Sequence, residues 1–161
     1  KIDSKGRMMV ELSMAGMGSL MKQVINGNTG YMSQQGQKKV LEGEELAEMK
    51  ESAILFGETL LATKAGVKVD AIEPINGSDA YAVIDGDKTH YFDVKTGLKT
   101  AESSISDQQG QKVTQVTYYN DYRDVKGVKV PFNTIMNVGF ELDIKMSEVK
   151  INEGVLDADF Q

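Results

Sequence analysis

Acid–base or metal chemistry at neutral pH would rest in this chain on one histidine and on carboxylates, because the sequence has no cysteine. A cysteine nucleophile, a thiolate zinc site and a disulfide framework are excluded together. His90 lies in the strand-like run Thr89-His90-Tyr91-Phe92. A lone histidine leaves a serine triad without a convincing base, and no Gly-x-Ser-x-Gly elbow accompanies it. It reads as a structural or surface residue. The acids give no better pair. Glu42, Glu44, Glu45, Glu48 and Glu51 cluster where a helix begins, and the helix dipole accounts for negative charge there. Asp85-Gly86-Asp87-Lys88-Thr89 starts like a calcium loop but lacks the continuing oxygen ligands and the closing bidentate acid. Gly16-Met17-Gly18 lacks the third glycine of a dinucleotide fingerprint, and Gly36-Gln37-Lys38 is not a phosphate loop. Asn76-Gly77-Ser78 fits a glycosylation sequon, yet Asn-Gly already explains itself as a turn. These residues specify no reaction and call for no cofactor.

The unusual chemistry is soft rather than ionic. Of nine methionines, Met8, Met9, Met14, Met17, Met21 and Met32 fall in the first 32 residues. Flexible thioethers fill irregular cores and also line surfaces that adapt to varied apolar partners. Both readings stand on sequence alone. For the second, the lining residues would be Met8, Val10, Leu12, Met14, Met21 and Phe56, together with Phe140, Leu142, Ile144 and Met146.

The elements that must position these side chains are mostly strands. Met8, Val10, Leu12 and Met14 alternate with Met9, Glu11 and Ser13, predicting a strand over 7–14. Further strands are predicted at 19–25, 29–33, 66–73, 79–84, 88–94, 98–107, 111–122 and 128–138, with a half-buried strand at 140–146 and a bulge near Glu148. Asn26-Gly27, Asn76-Gly77, Asp85-Gly86, Asp93 to Gly97 and Asp107 to Gly110 mark the turns. Pro131 should lie at an edge or bulge, because it has no amide to donate. One helix is predicted over 44–61, with Leu46, Met49, Ala53, Phe56 and Leu60 on one face and an irregular end near Gly57. Nine or ten strands and one helix predict a mainly β (α+β) fold: a large curved antiparallel sheet with one main helix against its concave face.

The chain has 161 residues, enough for one domain, with 40% hydrophobic and 26% charged residues. A net charge of −6 argues against nucleic acid as a partner. The sequence opens at Lys1 without an initiator methionine and enters a strand almost at once. We read it as a piece of a longer protein or a processed product. The strand at 7–14 would then be a sheet edge with unsatisfied pairing, which predicts a homodimer through it.

Two runs carry a family likeness. Tyr91-Phe92-Asp93-Val94-Lys95-Thr96-Gly97-Leu98 resembles the lipoprotein-carrier-like (LolA/LolB/LppX) half-barrels of bacterial envelopes. So does the run from Tyr119-Asn120-Asp121-Tyr122 through Gly127-Val128-Lys129-Val130-Pro131. The likeness covers roughly residues 66–160. The ending from Ile151 to Phe160 is similar to the C-terminal domain of zinc-protease-type proteins of Bacteroidetes, in the insulinase-type peptidase family. The resemblance implies an unclosed half-barrel spanning 1–161 and lacking its usual N-terminal helix and first strand. It also implies a periplasmic or outer-membrane-associated location and an apolar cavity for a lipid or lipoprotein acyl chain. The His-x-x-Glu-His signature is absent, so peptidase activity would belong to upstream protease domains and this chain would be non-catalytic. The alternative it implies is a structural or interaction module of such a protease with no ligand of its own.

Overall fold

The computed structural model describes residues 1–161 apart from Gln35, Gln109, Gly110, Val138 and Gly139, and for residues 106–108 and 111 the backbone alone. The expected turn at Gly110 and the end of the expected strand at Val138 therefore lie outside the described residues. The described chain is mainly β and antiparallel throughout, and neither of its two sheets closes on itself. This is the fold class expected of a LolA-like half-barrel, although the strands fall in two sheets rather than one.

The first compact unit comprises Lys1–Leu60 and Asn152–Gln161. Its sheet has the order β1 (Met8–Met14), β2 (Gly18–Asn26), β3 (Thr29–Gln34) and β4 (Gln37–Val40). The sequence reading missed β4, whose residues are all exposed and lack an apolar face. The β2–β3 hairpin closes Asn26 on Thr29, with Gly27 at a φ of 62° that a side chain would resist. Helix α1 (Gly43–Ser52) packs Leu46 and Met49 against a core of Met8, Ile25, Leu41 and Ala53. Gly30 admits it: a Cβ there would lie 2.7 Å from Ile25 Cδ1 and 3.1 Å from Leu46 Cδ1.

The helix predicted over 44–61 is broken. Phe56 takes a φ of 56°, and the chain re-enters helix only briefly at α2 (Glu58–Leu61). The left-handed residue turns the later part of the segment off the packed face, so Phe56 and Leu60 are exposed. On the other side of the sheet, the C-terminal 3₁₀ turn Asp157–Phe160 lies against β1 and β2 and buries Phe160. Asn26 Nδ2 donates to Phe160 O at 3.3 Å, and the Arg7 guanidinium lies 4.4 Å from the Phe160 ring centre.

The second unit, Leu61–Ile151, is a seven-stranded sheet in the order β11-β10-β9-β8-β7-β6-β5. Its strands are β5 (Lys68–Ile75), β6 (Ser78–Asp85), β7 (Lys88–Asp93), β8 (Lys99–Gln108), β9 (Gln111–Val125), β10 (Val128–Asn137) and β11 (Glu141–Lys145). Asn76 and Gly77, and Lys126 and Gly127, take paired positive φ values, the conformation that suits tight hairpins. One row across the sheet alternates small and aromatic residues, Ala82–Tyr91–Ala101–Tyr118–Ile135. Both Ala82 and Ala101 are buried in it.

Pro131 lies beyond the β10–β11 ladder, which spans Asn133–Asn137, where β10 has no strand on that side. The strand expected to be half-buried, β11, is exposed at all five positions. It is an edge strand with a single neighbour, so alternation in its sequence is not matched by cover. It also ends at Lys145; the expected bulge near Glu148 falls in irregular chain.

Candidate functional site

Cross-strand partners share a face of a sheet, so register places the proposed lining residues. In the first unit Met8 pairs with Ile25, Val10 with Gln23 and Leu12 with Met21; Gln23 and Met21 pair onward with Met32 and Gln34. Met14 follows Leu12 on the same side of β1 and faces Gly18, after an irregularity between Leu12 and Ser13. One face of this sheet therefore has two halves. The half under α1 contains Met8, which is core and not lining. At the boundary Gln23 Nε2 donates to the Met49 thioether.

Beyond the helix Val10, Leu12 and Met14 are 42%, 55% and 53% exposed, next to half-buried Met21 and Met32. This ribbon is the candidate binding surface. Met32, which the Asn26-Gly27 hairpin puts opposite Gln23, packs against the core and borders the ribbon. Phe56, 57% exposed, stands on the helix break.

Phe140, Leu142, Ile144 and Met146 lie in the second unit. Phe140 is 65% exposed, Leu142 pairs with Met136 and Ile144 with Thr134, and Met146 follows the end of β11. They form an apolar edge to the seven-stranded sheet.

A polar group on that sheet was not evident from the sequence. The row Val83–His90–Glu102–Thr117–Met136–Leu142 sets His90 directly opposite Glu102. His90 Nδ1 is 3.1 Å from Glu102 Oε2, and Lys99 Nζ reaches the same oxygen at 2.5 Å. His90 is buried, and neither ring nitrogen makes a well-formed hydrogen bond, the Nδ1 approach to Glu102 included. The close approach of His90, then the hydrogen bond from Lys99, holds the Glu102 carboxyl down at about 2 against the opposing effect of burial. Lys99 Nζ also lies 5.0 Å from the Tyr119 ring centre, and Tyr122 Oη donates to Lys99 O at 2.6 Å. The cluster is a fixed charge pair with a histidine against it. It has no second carboxylate for glycoside chemistry and no nucleophile for acyl transfer. Among the described residues no group of three or more His, Asp or Glu could hold a metal ion.

The two family-like runs have local structural roles. Asp93 Oδ1 accepts from Lys95 N at 3.1 Å, from Thr96 N at 2.7 Å and from Thr96 Oγ1 at 2.7 Å. These bonds, led by those from Thr96, pull its carboxyl below the usual carboxylate range. Gly97, at a φ of 70°, closes the turn. In the second run Asp121 takes a φ of 51° within β9 and pairs with Arg123. A polar chain crosses the same sheet: Asn76 Nδ2 donates to Asn120 Oδ1 at 2.8 Å, Asn120 Nδ2 to Asn133 Oδ1 at 3.4 Å, and Asn133 Nδ2 to Asp143.

No protein-family model and no curated protein matches the chain. Two solved structures are similar to it. A LolA superfamily protein from Nitrosomonas europaea aligns with a TM-score of 0.56 and 13% identity, over 96% of this chain and 76% of that one. A domain named for outer-membrane lipoprotein sorting, from Vibrio parahaemolyticus, aligns with a TM-score of 0.57 and 14% identity, over 96% and 81%. Both alignments take in nearly the whole chain, and at these identities they speak to architecture: the fold is LolA-like.

Proposed function

We propose that this protein is a non-catalytic binding domain of the bacterial cell envelope that takes an apolar chain, the acyl chain of a lipid or lipoprotein. The observation that carries the reading is the uncovered half-face of the four-stranded sheet, where Val10, Leu12, Met14 and Met21 continue the apolar face beyond the core that Met32 packs against. Thioethers on such a surface conform to a flexible chain better than branched side chains do. The LolA-like fold and the lipoprotein-sorting name of one neighbour support the choice of ligand and of compartment. The protein would need no cofactor.

Titration of the lipid-stripped protein with a fluorescent fatty acid tests the reading, with lipid extraction and mass spectrometry of the protein as purified. Saturable binding is expected. Met21→Asp, which sets a charge on the ribbon from an interior strand, should weaken it about tenfold or more, corresponding to about 1.4 kcal/mol. Absence of binding and of extracted lipid would reject the carrier reading. That result would favour an interaction module of a zinc-protease-type protein, which rests on the likeness of residues 151–160 to such C-terminal segments.

A further inference from the structure

The face that carries the ribbon changes chemistry from one side to the other. Register puts Val10, Gln23, Met32 and Lys39 in one row across β1 to β4. The next row is Leu12, Met21, Gln34 and Gln37. Over β1 and β2 these rows are apolar apart from Gln23. Over β3 and β4 the second row ends in two exposed amides, Gln34 and Gln37. Lys39 ends the first row, and its Nζ lies 2.8 Å from each carboxylate oxygen of Glu45 on α1.

Gln23 stands where the two sides meet, beside α1, and is only 8% exposed. One of its amide hydrogens goes to the Met49 thioether, which is a weak acceptor. The other hydrogen and Oε1 have no side-chain hydrogen bond among the described residues. Buried amides normally complete their bonding, because a buried polar group left unpaired is destabilising. A methionine here would pack against Met49 without that cost. The amide is suited to a partner group that arrives with a ligand.

We propose that Gln23 Nε2 donates to the acyl carbonyl of the ligand, and that this face selects neutral polyol esters. The assignment rests on the apolar-chain reading above and names which chains are taken. The acyl chain lies over Val10, Leu12, Met21 and Met14, with its ester carbonyl at Gln23. The hydroxylated head then lies over Gln34 and Gln37, whose amides both donate to and accept from hydroxyls. An ionised carboxylate gains less, because the one cation of the Gln23 row is already held by Glu45.

The test uses dodecanoylglycerol and dodecylglycerol, the same chain and head joined by an ester or by an ether. Each competes with a fluorescent fatty acid for the lipid-stripped protein. The ester should displace the probe at about three- to tenfold lower concentration, the worth of one hydrogen bond. Dodecanoate should be weaker than the ester. In Gln23→Met, which keeps the side-chain length without a donor, the ester should lose its advantage over the ether. The melting temperature of that variant should hold or rise. A purely structural amide would instead lower it and leave the ester's advantage intact. Equal affinity of ester and ether in the unsubstituted protein, a tighter dodecanoate, or an advantage that survives Gln23→Met would overturn the proposal. None of these results touches the apolar-chain reading. Failure of ester, ether and fatty acid alike would reject both. The comparison in unsubstituted protein requires no variant to fold.

Discussion

Glu102 shows what a single side chain can contribute and how little of it could be read in advance. Its folded pKa, about 2, lies below the ordinary 4.5. A depressed carboxylate stabilises the fold fully above its unfolded value and loses that contribution as pH falls through the folded one. Stability should therefore decline between about pH 4.5 and 2, and Glu102→Gln should flatten this part of a urea-unfolding profile. The same variant should cost about 1–3 kcal/mol at neutral pH, since a neutral amide replaces the charged acceptor beside Lys99 and His90. The pair was hidden by one residue of register. The sequence reading recognised the Asp93–Gly97 loop, but the Phe92–Lys99 pairing beside it, carried along β7, would oppose His90 with Ala101. An irregularity between Tyr91 and Phe92 moves Glu102 into place instead. A slip of one residue exchanges the faces of a strand, and no side chain in the stretch announces it.

Among the elements, hairpins were the most legible and helix ends the least. Asn26-Gly27, Asn76-Gly77 and Gly97 appear where their conformational freedom is needed, because a tight turn depends on a few local dihedrals. The helix pattern over 44–61 was locally consistent, yet α1 stops at Ser52 and the left-handed Phe56 separates it from α2. Alternation in Phe140, Leu142, Ile144 and Met146 predicted burial that an edge strand with one neighbour does not receive. Four of the ten expected lining residues, Val10, Leu12, Met14 and Met21, share one face, because their placement depends only on β1 and β2. Docking of α1 rests on Gly30. Gly30→Ala would bring a methyl against the buried Ile25 side chain and 3.1 Å from Val24 O, and should cost about 1–3 kcal/mol in a denaturant titration.

For the whole molecule, the fold class was readable from counting strands, whereas the division into two sheets was not. Strand number follows from local periodicity, but which strands share a ladder depends on connections, and the break falls after β4, the strand the reading missed. The first unit is also assembled from both ends of the chain. Lys1 Nζ pairs with Asp159 at 2.7 Å, Arg7 with Asp157 at 2.8 Å, and Tyr31 Oη donates to Gln161 O at 2.9 Å. These exposed polar contacts position the segment, while buried Phe160 supplies most of its stabilisation. Phe160→Ala should cost about 3–5 kcal/mol by chemical unfolding, and a double Asp157→Asn, Asp159→Asn variant much less.

This stitching sets an order of events during synthesis. Residues 61–151 form a continuous segment and can complete their sheet before residues 152–161 leave the ribosome. The four-stranded sheet cannot: one of its faces waits for Phe160, which is made after the whole of residues 61–151. Until Phe160 emerges, β1 to β4 would have a helix on one side and bare apolar surface on the other. Chaperone contact should accordingly persist longest over residues 1–60, although they emerge before residues 61–151.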